Sequence, residues 1–397
     1  LRTQPNLKIV TNAGGMNSSA CAAAISRILV EAGLPDVTIG IVTGDDLLPR
    51  LDELSRAGEK FAHFETSEDI ETVRDRIVSA NAYLGAGGIV DALAAGARIV
   101  VTGRVADVSL TVGPAVHELG WNFSDWERLA AATVAGHLIE CGGQCTGGMY
   151  SGWTPEIRLA DIGYPIAEIT EKADVTITKP EGTGGRVDVE TVSEQLLYEI
   201  GDPAHYLTPD LDTDFTQVRL TEIGPDRVSV QGARGGLPPE TLKVSVAYQR
   251  GFMVSSTLTI CGPNAIETAQ SAGETILEKL RMAGVVPART NVEILGAGDT
   301  WPGSSGGTGA VKPARLRERG NPWEVVLRMS AADPSRLVLE RFAAELAPLV
   351  TAGHPGVTGY VGSRAKPRPV LAYWPKTVSR KHIRAQATVR PAQEWIA

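Results

Sequence analysis

Residues 97–121 read ARIVVTGRVADVSLTVGPAVHELGW. The first five form an apolar run of strand length, and Gly103 with Arg104 makes a turn at its end. Polar groups follow closely: Arg104, Asp107, His117 and Glu118. The continuation from Ser124, SDWERLAAATVAGHLIECGGQCTGG, predicts a capped helix carrying His137, Glu140 and Cys141 near its end. A core alone excludes such polar density beside apolar runs, whereas an active site requires it.

Working outward, runs 7–10, 37–42 and 97–101 read as buried parallel strands. Runs 17–33 and 88–96 read as helices stopped by glycine. Strand and helix in alternation predict an α/β domain with a Rossmann-like parallel sheet over residues 1–160. Its opening, LRTQPNLKIV, reads as the end of a helix entering a strand, so the domain is expected to be incomplete at its N-terminus. Each strand ends in a glycine-containing polar turn: TNAGGMN, TGDD and TGRVAD. Ligands of such sheets bind beyond the carboxyl ends of the strands. Asn12, Asp45, Asp46, Arg104 and Asp107 are therefore expected in one crevice.

The helix at 126–141 has a capping box from Ser124 and Glu127 and a stop at Gly142. One face carries Leu129, Thr133, Gly136, His137 and Glu140, polar toward its end. From residue 161 the pattern changes. Strand-like runs at 175–178, 215–220, 228–231, 242–248 and 253–260, with turns at Gly224-Pro225-Asp226 and Arg250-Gly251, predict antiparallel hairpins. Helices at 189–200, 264–282 and 334–350 complete a predicted second, α+β domain over 161–397. GSSGGTG (303–309) reads as a mobile loop.

The 397 residues suit two or three domains, and 43% apolar content builds a sizeable core. A formal net charge of −8 argues against a nucleic-acid or anionic-membrane surface. Cys21, Cys141, Cys145 and Cys261 lack a disulfide-framework spacing, so reduced thiols in a cytoplasm are expected. No run has the length of a membrane span.

Each candidate group has a bland alternative. Asn12, Gly14, Gly15 and Asn17 form a strand-to-helix turn suited to an anion, or simply a tight turn capped at Ser18. The spacing does not make a dinucleotide fingerprint. Of Asp45 and Asp46, one can meet a ligand while the other caps the next turn. Arg104 suits a carboxylate and Asp107 a general base, unless the two pair with each other. His117 and Glu118, as helix neighbours, point apart, leaving one for the site. His137 and Glu140, one turn apart, suit acid/base work or a divalent metal, against a buried structural pair. Zinc at Cys141 and Cys145 has poor spacing. Gly184, Gly185 and Arg186 in GTGGR make a second candidate anion cradle, suited to the phosphates of an acyl-CoA, or a loop capped by Asp188.

The chain also resembles a known family. VTNAGGMN (10–17), GDDLLPRLDEL (44–54), SANAYLGA (79–86), the stretch at 101–121, GHLIECGGQCTGG (136–148), IGYPIAE (162–168), TKPEGTGGRV (178–187), EQLLYEIGDP (194–203) and HPGVTGY (354–360) resemble the acyclic terpene utilisation (AtuA-like) family, in order along the chain. The family's usual glycine-rich Gly-Phe-Trp-Gly-Asp-like opening and the small C-terminal domain of some members are missing here. The resemblance implies a catabolic setting, the breakdown of citronellol, geraniol and branched acyl-CoA. The reading that combines it with the residues is a cytoplasmic enzyme for a small branched carboxylic acid or its coenzyme A thioester. It uses Asp107, His117, His137 and Glu140 in lyase, hydratase or hydrolase chemistry, with Arg104 holding the carboxylate or thioester oxygen. No cofactor is established by the sequence; a coenzyme A thioester is a candidate substrate and a divalent metal a candidate cofactor. A homo-oligomer, or a partner subunit supplying the missing segments, is expected. The competing readings are a non-catalytic subunit or scaffold of an acyl-CoA-metabolising complex and a metal-dependent hydroxy-acid enzyme.

Overall fold

The run TIGIVT offers no polar side chain larger than threonine, and the strand it forms is buried along its middle. In the computed structural model, which describes residues 1–299, 322–359 and 364–396, that run is the second of four early strands. These are β1 (Ile9–Thr11), β2 (Thr38–Thr43), β3 (Ile77–Ala82) and β4 (Ile99–Thr102). β4 lies between β1 and β2 and is parallel to both. The strand Gln386–Pro391 closes the other side of β2, antiparallel. β3 pairs elsewhere, with the long strand Thr241–Cys261.

Five helices follow from the same part of the sequence: α1 (Ser18–Glu31), α2 (Leu51–Arg56), α3 (Gly87–Ala94), α4 (Ser109–Leu119) and α5 (Trp126–Glu140). Ile39, Ile41, Ile99 and Val101 pack with Ala22 and Leu29 of α1. The intervening residues Gly40 and Val42 meet Ala92 and Gly88 of α3. Successive strand residues point to opposite faces, so a helix covers each face of the sheet. An antiparallel sheet of Ile166–Ile169, Val175–Thr178, Arg227–Gln231 and Arg219–Gly224 encloses a further core with α5, around Val134, Leu138, Ile177 and Val228.

The chain divides into two compact units, Leu1–Arg74 with Ser79–Val246 and Trp374–Ala397, and Asp75–Val78 with Ala247–Tyr373. Residues 161–246, expected in a second domain, lie in the first unit. The second unit holds an antiparallel sheet in which Glu324–Asp333 pairs with Arg289–Leu295 on one side and with residues 252–261 on the other. Helices Ala265–Met282 and Arg336–Ala344 bury Ile276, Leu339 and Phe342 with Leu258 and Leu327 in one core. The fold is thus mixed α/β, with parallel and antiparallel sheets.

Several local expectations change. The hairpin at Arg250-Gly251 is one continuous strand, Thr241–Cys261, because ten residues beyond Gly251 pair in register with Glu324–Asp333 instead of folding back. Gly251 sits within it at φ +134. The helix at 334–350 ends at Ala344 and a short one resumes at Leu349, directly after Pro348, which lacks the N–H a continuous helix needs. The capping box of α5 does not form. Its N-cap is Asp125, whose carboxylate accepts the N–H of Asn122 at 3.1 Å. No helix precedes β1. The loop 303–309 lies outside the described residues.

Candidate functional site

The loops leaving the parallel strands are fastened to one another by Asp45. This residue, 5% exposed, accepts a hydrogen bond from Asn81 Nδ2 at 2.9 Å and from the N–H of Arg104 at 2.8 Å. A Cβ at Gly103 would stand 2.4 Å from Asp45 Oδ1, so only glycine lets the carboxylate approach. The segments after β2 and β4 are thereby tied to the end of β3. Asp46 accepts the N–H of Leu48 at 3.0 Å and caps the next turn. Asp45 is therefore a brace inside the candidate crevice, its carboxylate already engaged by protein donors.

Glycine also decides the position of Asn12. A Cβ on Gly14 would lie 2.3 Å from the carbonyl oxygen of Thr102. Its absence seats the loop after β1 against the end of β4, and Asn12 Nδ2 donates to Asp107 Oδ1 at 2.9 Å. Asp107 is exposed, and its other oxygen has no hydrogen-bond partner among the described residues. Gly15 turns the chain at φ +47, and Asn17, not Ser18, caps α1 by accepting the N–H of Ala20 at 2.9 Å. Arg104 makes no ion pair with Asp107. Its guanidinium lies 5.2 Å from the centre of the Tyr83 ring, which Lys243 approaches at 4.8 Å.

α5 closes on this turn through Gly136, where a Cβ would be 3.0 Å from Val108 Cα. One residue on, His137 Nδ1 is 2.9 Å from Glu140 Oε1. The imidazole is buried, 5.7 Å from the ring centres of both Tyr206 and Phe215, and its Nε2 has no hydrogen-bond partner among the described residues. Burial, then the charges of Glu140 and Asp107, hold the Tyr206 hydroxyl protonated far above the usual range. Burial also raises the Cys141 thiol, opposed by a hydrogen bond from Gln195 and reinforced by Glu140, Glu199 and Asp107. Asp107 and Glu140 thus act on the same two groups, a carboxylate field facing a phenol that keeps its proton.

The matching family model is that of the acyclic terpene utilisation family protein AtuA, and it spans residues 2–389. The chain belongs to this family. No curated protein and no solved structure matches it. The family's description sets this AtuA-family chain in acyclic terpene utilisation.

Other expected site residues stand apart from Asp107. α4 runs back along the sheet, and its last turn brings Glu118 to Lys8, just before β1. His117 Nε2 is 3.7 Å from the same carboxylate, so the neighbours touch rather than point apart, at the opposite end of α4 from Asp107. The GTGGR segment makes no anion cradle: Gly184 and Gly185 donate their N–H groups to the carbonyls of Asp161 and Ile162. Arg186 is held by Asp188 and Glu190 and stacks on Tyr150 at 4.9 Å, while Asp188 caps the helix Val189–Leu197. Cys145 is buried, which pushes its thiol up to about 12. Among the described residues no three His, Cys, Asp or Glu side chains are grouped to hold a metal, and no helix is long and apolar enough to cross a membrane.

Two cavities open beside the strand ends. One of about 330 Å³ is bounded by Leu84, Phe123, Leu242, Asp210 and Arg380. Asp210 accepts the hydroxyl of Ser109 at 2.7 Å and the N–H of Ala86 at 2.9 Å. Burial raises its carboxyl against those bonds and the charge of Arg380. The other, about 480 Å³, is bounded by Asp46, Arg50, Lys381, His382 and Arg384. The sequence reading missed Asn81, Tyr206 and Asp210. Asn81 lies inside SANAYLGA and Tyr206 three residues beyond EQLLYEIGDP, so the family motifs bracket two of the three.

Proposed function

We propose that this AtuA-family protein is a catabolic enzyme that moves a proton on a small branched carboxylic acid or its coenzyme A thioester, in lyase, hydratase or hydrolase chemistry. The observation that carries the reading is the Asn12–Asp107 hydrogen bond at the carboxyl ends of the parallel strands. It orients one carboxylate oxygen and leaves the other for a substrate proton. Asp107 is the base, and Tyr206, kept protonated by its surroundings, is the donor to the developing oxyanion. Arg104 holds the carboxylate or thioester oxygen, and Glu140, bonded to His137, sets the local field. The parallel sheet is read as Rossmann-like, which puts the ligand at its carboxyl edge. The four free cysteines suit a reducing cytoplasm.

The test is turnover of the purified chain on short branched acids and their thioesters. Asp107→Asn is expected to lower turnover about 10²–10⁴-fold with little change in Tm. Full activity in this variant would refute Asp107 as the base. A second reading, a non-catalytic subunit of an acyl-CoA-metabolising complex, is favoured by the close packing of His137 against Tyr206 and Phe215. His137→Asn and Glu140→Gln separate the two. A large loss of Tm with turnover retained in the folded fraction makes this pair structural and confines the chemistry to Asp107, whereas lost turnover at an unchanged Tm makes it part of the catalytic set.

A further inference from the structure

The segment 380–386 alternates between two cavities. Arg380, Ile383 and Ala385 face the smaller, and Lys381, His382, Arg384 and Gln386 face the larger. The larger one collects positive charge in a chain whose net charge is −8. Arg50, Lys381 and Arg384 line it with His382, against one carboxylate, Asp46. Arg50 is answered by Glu53 at 2.9 Å, and His382 Nε2 lies 3.5 Å from Glu59. Lys381 and Arg384 are exposed and have no carboxylate partner among the described residues.

Two further features show that this wall is built. Gly44, at φ +109, approaches so closely that a Cβ there would stand 2.1 Å from the carbonyl oxygen of Arg384. Arg50 Nη2 donates to the carbonyl of His382 at 3.2 Å, pinning the segment against the loop after β2. The buried Nε2 of His382 faces Glu59 rather than the cavity. A cation excess and a fixed wall around 480 Å³ suit a compact, multiply charged anion.

We infer that this cavity binds a phosphoryl group, with Lys381 and Arg384 neutralising its charge. The inference is independent of Asp107 and of the proposed reaction. It also moves the expected phosphate contact from Gly184, Gly185 and Arg186, whose donors are engaged, to a place where cationic groups stand open.

The experiment is isothermal titration calorimetry of the full chain at low salt with inorganic phosphate, pyrophosphate, ADP and adenosine. Pyrophosphate and ADP are expected to bind and adenosine not. The double variant K381E/R384E is expected to weaken binding at least about tenfold, since two charge-assisted contacts are reversed, and added salt to weaken it further. The Tm of each variant serves as the folding control, and K381Q/R384Q replaces the reversal if that does not fold. Equal affinity for phosphate and ADP supports a free-anion site, and tighter ADP supports a phosphorylated organic ligand. No binding of any of the three anions up to about 10 mM, adenosine binding as tightly as ADP, or wild-type affinity in the folded double variant overturns the inference.

Discussion

The two units spend their buried polar groups differently. In the second unit the sheet of Arg289–Leu295 and Glu324–Asp333 and its helices enclose an aliphatic and aromatic core, and Glu345 is its one buried polar side chain among the described residues. That carboxylate is met by Lys279 and Arg341 at the surface. In the first unit Asp45, Asn81, Thr102, Ser109, Thr133 and His137 are all buried, at the ends of strands, at the start of α4 and within α5. Burying such groups costs free energy unless each finds a partner. Asp45 and Asn81 find each other, whereas Thr133 Oγ1 and His137 Nε2 do not. The proposed chemistry falls in the first unit, where these unsatisfied atoms lie.

The largest expected effect lies in the second unit and is purely one of stability. Leu327 is fully buried at the centre of its core, so Leu327→Ala is expected to cost about 2–5 kcal/mol, read by denaturant unfolding. Turnover of the folded fraction should stay at the wild-type level. Its loss would break the division of labour between the units. A smaller effect tests the first unit. The carboxyl of Asp210 is raised by burial, so the folded state holds its proton after the unfolded chain has released it near pH ~4. Stability from this group is therefore present at low pH and falls as pH rises toward the folded pKa. Asp210→Asn should flatten that fall in a series of Tm measurements from acid to neutral pH. An unchanged slope would show that Asp210 ionises normally. The smallest effect is on the surface of the second unit. Arg328 bonds Glu293 at 2.7 Å and lowers its carboxyl, an interaction present above the ordinary glutamate range and lost as pH falls. Since Arg328 is 39% exposed, Glu293→Gln is expected to cost less than about 1 kcal/mol. A cost of several kcal/mol would show that the second unit also depends on buried polar pairing.

β2 and β4 were legible because burial on both faces leaves an unbroken apolar run. β1, also expected to be buried, is a half-exposed edge strand instead. The strand ends were legible because glycine and polar residues punctuate the runs. That suffices to bring Asn12, Asp45, Asp46, Arg104 and Asp107 to one edge of the sheet, since strand direction alone decides which loops share an edge. Which of these groups keeps a free oxygen was not legible. Asp45 and Asp46 are equivalent neighbours in sequence, and only the approach of Asn81 and Arg104 buries the first. GTGGR looks like an anion cradle until the carbonyls of Asp161 and Ile162 take its N–H groups. His117 drops away because α4 carries it back along the sheet.

By itself, the sequence determined the α/β pattern, the strand ends and the family, and it pointed to Asp107 as a candidate. Local periodicity and turn chemistry carry those signals within a few residues. Tertiary structure alone decided that residues 161–246 join the first unit, that 241–261 is one strand, and that Tyr206, Asp210 and the 381–386 segment stand beside the early strand ends. These depend on pairings between segments far apart in the chain, Gln386–Pro391 with β2 above all, and hydrogen-bond partners at that separation leave no trace in local spacing.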